Sequence, residues 1–127
     1  MSRAGNQKLG SITLNIPVAA GECMKECTIA AINAEGYAVT GRKEEGLTSA
    51  GMVSVPVDNA SGEAGDVEVR VKRGTFVWNN DGSIKKTDIL KKCYIAGPDT
   101  VTITADGASE AGTVIAVDDD GVTVEMK

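Results

Sequence analysis

The strictest constraint on this chain is a period of two. Val67, Val69 and Val71 alternate with Glu68, Arg70 and Lys72. Only an extended strand puts the three valines on one face and the three charges on the other. Ile12, Leu14 and Ile16 alternate in the same way with Thr13 and Asn15, and Val53, Val55 and Val57 with their neighbours. Val101 and Ile103 do so among threonines. Thirty-four of the 127 residues are Val, Ile or Thr, against four Leu, and 15 glycines punctuate them. Side chains branched at Cβ favour strands, and frequent glycine favours tight turns. The expectation is an all-β domain of short, mainly antiparallel strands.

The segments follow from that reading. Residues 1–10 are polar and form an expected flexible N-terminal arm; residues 11–127 form one β domain. A domain of this length buries about two thirds of the surface its unfolded chain exposes. Residues 11–16 read as a strand ended by Pro17, and residues 18–25 as a loop. A hairpin joins residues 27–33 to 37–40, with Gly36 at the left-handed position of its turn. Residues 41–49 read as a solvent-facing loop. Pro56 donates no ladder hydrogen bond, which demotes the strand at 52–57 to an edge or a bulge. Gly74 marks a bend before an extended run that puts Phe76 and Trp78 on one side. Residues 79–82, Asn-Asn-Asp-Gly, form a turn. Residues 83–92 suit a single helical turn, an irregular connection or a strand equally. Residues 93–95 and 100–104 are strands, and residues 112–117 and 122–126 close the chain as a hairpin. The Ala-Ser-Gly-Glu-Ala-Gly of residues 60–65 is echoed by Ala-Ser-Glu-Ala-Gly at 108–112, which reads as one turn solution used twice.

Composition narrows function. The chain has no histidine, so Ser-His-Asp catalysis, His-ligated zinc and an imidazole switch are excluded. A formal net charge of -5 disfavours a backbone-tracking nucleic-acid binder, and four aromatics supply little base stacking. No apolar run approaches the roughly 18 residues of a membrane helix. The polar start has no signal-peptide core, so the expectation is a soluble protein made in the cytoplasm. Three cysteines, Cys23, Cys27 and Cys93, read as free thiols rather than a disulfide framework. No cofactor and no catalytic residue is expected.

The remaining candidates concern interaction. Arg70, Lys72, Arg73, Lys85 and Lys86 form the main positive feature, read either as a docking face or as charge that guards an edge. Phe76 and Trp78 are candidate aromatic anchors, with a core role as the plainer alternative. The acidic run Asp118-Asp119-Asp120 lacks the spaced ligands of an EF-hand and reads as a turn. Asp58, Glu63, Asp66 and Glu68 read as solvated loop charge. A binding module for a small ligand or metal ion that uses such a loop is the alternative function.

The order of the pieces carries a resemblance. Pro56-Val57-Asp58-Asn59 leads to Ala64-Gly65, then to Arg73-Gly74-Thr75-Phe76, Asp88-Ile89 and Cys93-Tyr94. Asp99-Thr100-Val101, Ala111-Gly112-Thr113-Val114 and Asp120-Gly121-Val122-Thr123-Val124 follow. This resembles the small capsid cement, or head decoration, proteins of tailed phages and of prophages, including Mu-like ones. The resemblance spans residues 14–126. It implies a small β-barrel or β-tulip-like sandwich, a non-enzymatic role on the capsid exterior, the major capsid protein as partner and a homo-oligomer, with a trimer favoured. It also implies assembly in the host cytoplasm and residence on the virion surface.

Overall fold

The computed structural model describes residues 12–126. Twelve strands make up nearly all of its regular structure: β1 (Thr13–Pro17), β2 (Cys23–Met24), β3 (Ile29–Ile32), β4 (Ala38–Thr40), β5 (Thr48–Val55) and β6 (Val57–Asp58) come first. β7 (Glu68–Lys72), β8 (Gly74–Asn80), β9 (Lys92–Ile95), β10 (Thr100–Thr102), β11 (Glu110–Asp118) and β12 (Gly121–Met126) follow, with a 3-10 turn at Lys86–Asp88. The fold is therefore all-β. It combines an antiparallel sheet, ordered β1-β7-β5-β3-β4, with a closed five-stranded barrel, ordered β10-β8-β12-β11-β9. The barrel closes by one parallel pairing, β10 with β8. β2 and β6 form a short ribbon of their own.

The two sheets share a wall. β3 reads Ile-Ala-Ala-Ile, apolar at both parities, so both faces can be buried. Ile29 and Ala31 join the barrel core with Trp78, Ile95, Val101, Val114, Val122 and Val124. Ala30 faces the other way, into a second core with Ile16, Val18, Met24, Val53, Val69 and Val71. β4 divides likewise, with Val39 in the first cluster and Ala38 in the second. The open sheet curls until its ends nearly meet: Val18, just past β1, bridges Ala38 in parallel, and the Ala19 amide donates to the Ala38 carbonyl at 3.0 Å.

Most expected strands are present, and the differences have physical reasons. Of the two readings that Pro56 allowed, an edge or a bulge, the strand is not an edge, because it lies between β7 and β3, but it is irregular just before the proline. It stops at Val55, one residue before the proline, and the register slips between Val53 and Val55. Proline ends the strand and leaves its position in the sheet to the buried Val53 and Ala50. The expected loop at 18–25 contains β2, and the expected turn residues Asn79 and Asn80 extend β8. Asn80 still shapes the turn: its side-chain oxygen accepts the Gly82 amide at 2.8 Å. The hairpin with Gly36 at positive φ (90°) is as expected. Ile16 is buried, but Ile12 is 52% exposed, so the alternating face of β1 extends beyond the core. The segment at 83–92 resolves as the 3-10 turn. The expected arm, residues 1–10, lies outside the described residues.

The echoed Ala-Gly segments are not one turn used twice. Gly65 occupies a turn at φ +86°. Gly112 lies inside β11, where a Cβ would stand 2.3 Å from the Glu125 carbonyl oxygen. The same letters serve a left-handed turn in one place and a close strand approach in the other.

Close approach also fixes Gly51, where a Cβ would stand 2.1 Å from the Lys72 carbonyl oxygen. Gly51→Ala is expected to remove the folded state at ambient temperature, because rigid backbone rather than a flexible side chain is in the way. Gly46→Ala, at φ +83° but in open space, is expected to cost only about 1 kcal/mol. Urea melts of the two variants check this contrast.

Candidate interaction surfaces

The alternation in β7 puts Val69 and Val71 inside and leaves Arg70 and Lys72 exposed on the outer face. Part of that outer face is covered, because Ile29, Ala31 and Val39 of β3 and β4 pack on the barrel. The part made by β1 and β7 is left uncovered by the other described residues. There Asn15, Val55, Val57, Glu68 and Arg70 line an open groove of about 330 Å³. Val55 is 47% exposed and stands opposite Arg70.

The seven residues singled out in the sequence do not form one site. Arg70 and Lys72 lie on the open sheet, while Lys85 and Lys86 lie at the 3-10 turn on the barrel. Arg73 turns inward, and its Nη1 donates to the Ala50 carbonyl at 3.1 Å. Trp78 is not a surface anchor. It is 4% exposed inside the barrel, and its Nε1 donates to Met126 Sδ at 3.2 Å. Phe76 is half-buried beside it, with ring centroids 6.1 Å apart and planes tilted by 55°. In an aliphatic barrel the large indole is most stable where it removes the most apolar area from water.

The exposed apolar residues lie elsewhere. Because Phe76 and Trp78 face inward, Val77 between them faces out and is 57% exposed. Register aligns Val77 with Thr123, and Thr123 with Ala116. Ile115, at the adjoining bulge of β11, is 37% exposed. The Leu90 amide donates to the Val114 carbonyl at 2.7 Å, which brings Leu90 alongside. Leu90 is 73% exposed and Ile89 44%. Exposed apolar residues therefore recur on neighbouring strands outside the barrel, with Thr123 between Val77 and β11, and end at the lysine-rich turn.

Leu90 also adopts φ 71°, a left-handed conformation that disfavours residues with a Cβ. The preceding turn is held by Asp88, whose Oδ2 accepts the Lys85 amide at 2.8 Å. That bond, with Lys91 nearby, keeps the Asp88 carboxyl below its ordinary value. Sequence reasoning missed Ile89 and Leu90. The available signal was an Ile-Leu pair isolated among lysines, with no alternation to carry it into a core.

The acidic candidates are built as turns. The Asp120 amide donates to Asp118 Oδ1 at 2.9 Å, and the Ala60 and Glu63 amides donate to Asp58 Oδ1 and Asp66 Oδ2, each at 2.9 Å. Buried Asn59 fastens the 58–66 loop, since its Nδ2 donates to the carbonyls of Val18, Ala19 and Glu63. Among the described residues, no three His, Cys, Asp or Glu side chains converge as a metal cluster. No helix among them is long and apolar enough to cross a membrane.

A polar cleft of about 410 Å³ lies where the two sheets meet. Thr48, Ser49 and Arg73 line one side, and Lys92, Glu110 and Glu125 line the other. Ser49 Oγ is buried there and has no hydrogen-bond partner among the described residues. Lys92 Nζ pairs with Glu110 at 3.5 Å. No family model, curated protein or solved structure matches the chain.

Two outcomes follow. Leu90→Asn keeps the left-handed turn with a residue that tolerates it, and is expected to stabilise the fold by roughly 1 kcal/mol in a thermal melt. Of the three thiols, Cys23 and Cys27 are exposed, while burial pushes the Cys93 thiol up to about 11. Two thiols are expected to react with Ellman's reagent in native protein at pH 8, and the third only after unfolding.

Proposed function

We propose that this chain is a non-enzymatic phage or prophage structural protein that decorates the capsid exterior and stabilises it, with the major capsid protein as its partner. The observation that carries the reading is the exposure of the apolar side chains of Val77, Ile115 and Leu90 on the outside of a closed barrel. A surface of this kind is costly in water and is stable when another protein covers it. The sequence resemblance to cement proteins says which kind of assembly would cover it. A cement protein works through contact area and its own stability, and the closed barrel offers an outer wall without free strand edges of its own. In this role the protein is made in the cytoplasm of the bacterial host and ends on the virion surface. It contacts neither nucleic acid nor membrane.

Purified protein is expected to co-sediment with expanded heads of the phage encoded in the same genome, at an occupancy that saturates. Val77→Glu is expected to weaken that binding at least about tenfold while leaving the thermal melt unchanged. Absence of saturable binding to expanded heads overturns the reading.

A second reading, a binding module for a small polar ligand, draws on the unpartnered Ser49 hydroxyl in the cleft between the sheets. A panel of small anions and zwitterions that leaves the melting temperature unchanged removes it.

A further inference from the structure

We propose that the polar cleft between the two sheets binds a small zwitterion of the amino-acid type, with its carboxylate toward Arg73 and Ser49 and its ammonium toward Glu110 and Glu125. This deepens the second reading above by naming the ligand class, and rests on that reading.

The cleft measures about 410 Å³, and strands of both sheets line it. On the barrel side, Thr113 of β11 stands opposite both Glu125 of β12 and Lys92 of β9. Cross-strand partners share a face, so these three side chains form a row on the face opposite the buried Val114 and Val124. Lys92 Nζ reaches Thr113 Oγ1 and a carboxylate oxygen of Glu110, each at 3.5 Å. On the other side, Ser49 belongs to β5. Arg73 lies between β7 and β8, where the chain crosses from the open sheet into the barrel. Groups carried on paired strands are held more firmly than groups on loops.

Each end of the cleft has a chemical character. Ser49 Oγ is buried and has no hydrogen-bond partner among the described residues. A hydroxyl left in that state costs stability until something supplies a partner. A carboxylate held in the cleft supplies one once the hydroxyl turns about its single side-chain bond. Arg73 spends one donor on the Ala50 carbonyl at 3.1 Å, and a guanidinium has others to offer a carboxylate. At the opposite wall, Glu110 pairs with Lys92 at 3.5 Å while their side chains are 55% and 56% exposed. A long, exposed pair of this kind is weak, so Glu110 can exchange Lys92 for a ligand ammonium. Glu125, on the neighbouring strand, adds a second carboxylate. The lining thus holds two basic and two acidic side chains. A simple anion or cation meets repulsion here as well as attraction, whereas a molecule carrying both charges is matched at both ends.

Amide-resolved NMR on the full chain, titrated at neutral pH with L-serine, L-glutamine, acetate and methylammonium, tests this. At least one of the amino acids is expected to shift the Ser49, Gly112 and Thr113 amides saturably. Its binding is expected to be at least about tenfold tighter than that of acetate or methylammonium. Ser49→Ala is expected to weaken that binding about tenfold without lowering the melting temperature of the free protein, because it removes an unsatisfied hydroxyl. Glu110→Gln is expected to lose the preference for the amino acid over acetate. The proposal is overturned by amino acids that bind no tighter than acetate, by saturable shifts that bypass the cleft, by Ser49→Ala binding like the wild type, or by Glu110→Gln keeping the preference. Acetate that saturates in the cleft while the amino acids gain nothing over it overturns the zwitterion and leaves the ligand-binding reading standing. No saturable shift with any of these probes overturns both.

Discussion

The fold depends on β3 being buried on both faces. A four-residue strand cannot present large side chains to two cores and still let two sheets approach closely. Ile29-Ala30-Ala31-Ile32 resolves this by putting alanines at the middle of the shared wall, both fully buried. The backbone is then enclosed as well, and its polar groups need partners inside the protein. The Ile29 amide donates to the Pro98 carbonyl and its carbonyl accepts the Gly41 amide, each at 2.7 Å. The first of these ties the open sheet to the loop between β9 and β10 of the barrel, and the second holds the end of β4 against β3. Ile29 therefore couples the two halves through packing and hydrogen bonding together, so neither half can open without exposing the other's core.

This coupling sets what remains for the surface. The barrel uses the covered half of the open sheet as part of its own enclosure, and so leaves the β1–β7 half uncovered by the other described residues. Arg70, Lys72 and the Val55 groove lie there because the barrel is too small to cover a five-stranded sheet. The barrel's own exterior follows from the parity of β8: once Phe76 and Trp78 point inward, Val77 must point out. A β-branched residue at that position favours the strand, and its exposure is the cost of the inward pair.

How much of this was legible in the sequence depended on the range of the signal. Alternation is local, and β7, β8 and the β11–β12 hairpin were readable from Val69, Phe76 and Val122. So were the all-β class and the Gly36 turn. Partner choice is not local. Pro56 suggested an edge or a bulge: the register does slip beside it, but whether the strand lies at an edge depends on what pairs with it, here β7 and β3, which lie beyond any local pattern. The Ala-Gly echo misled for the same reason: Gly65 and Gly112 share neighbours in sequence but not in space. Among the interface candidates, Arg70, Lys72, Lys85 and Lys86 are exposed while Arg73 turns inward, and their division between two sheets is a tertiary fact. Trp78 was readable as core from its parity with Phe76. Leu90 was the hardest, since a residue that breaks both the burial and the φ preferences of its type has no local pattern to announce it.

Charge segregation gives those exceptions a common sense. The net charge of -5 is the difference between 13 basic and 18 acidic side chains. The fold places carboxylates on the β6–β7 loop and at the β11–β12 tip, and lysines around the 3-10 turn. With charge segregated in this way, the electrostatic part of any encounter depends on orientation before contact is made. Apolar residues exposed inside a charged ring are then shielded from indiscriminate association, because an approach that buries Leu90 against a like-charged surface is opposed by the lysines beside it. An exposed leucine without such a ring would be an aggregation hazard. With lysines beside it, the same leucine is selective.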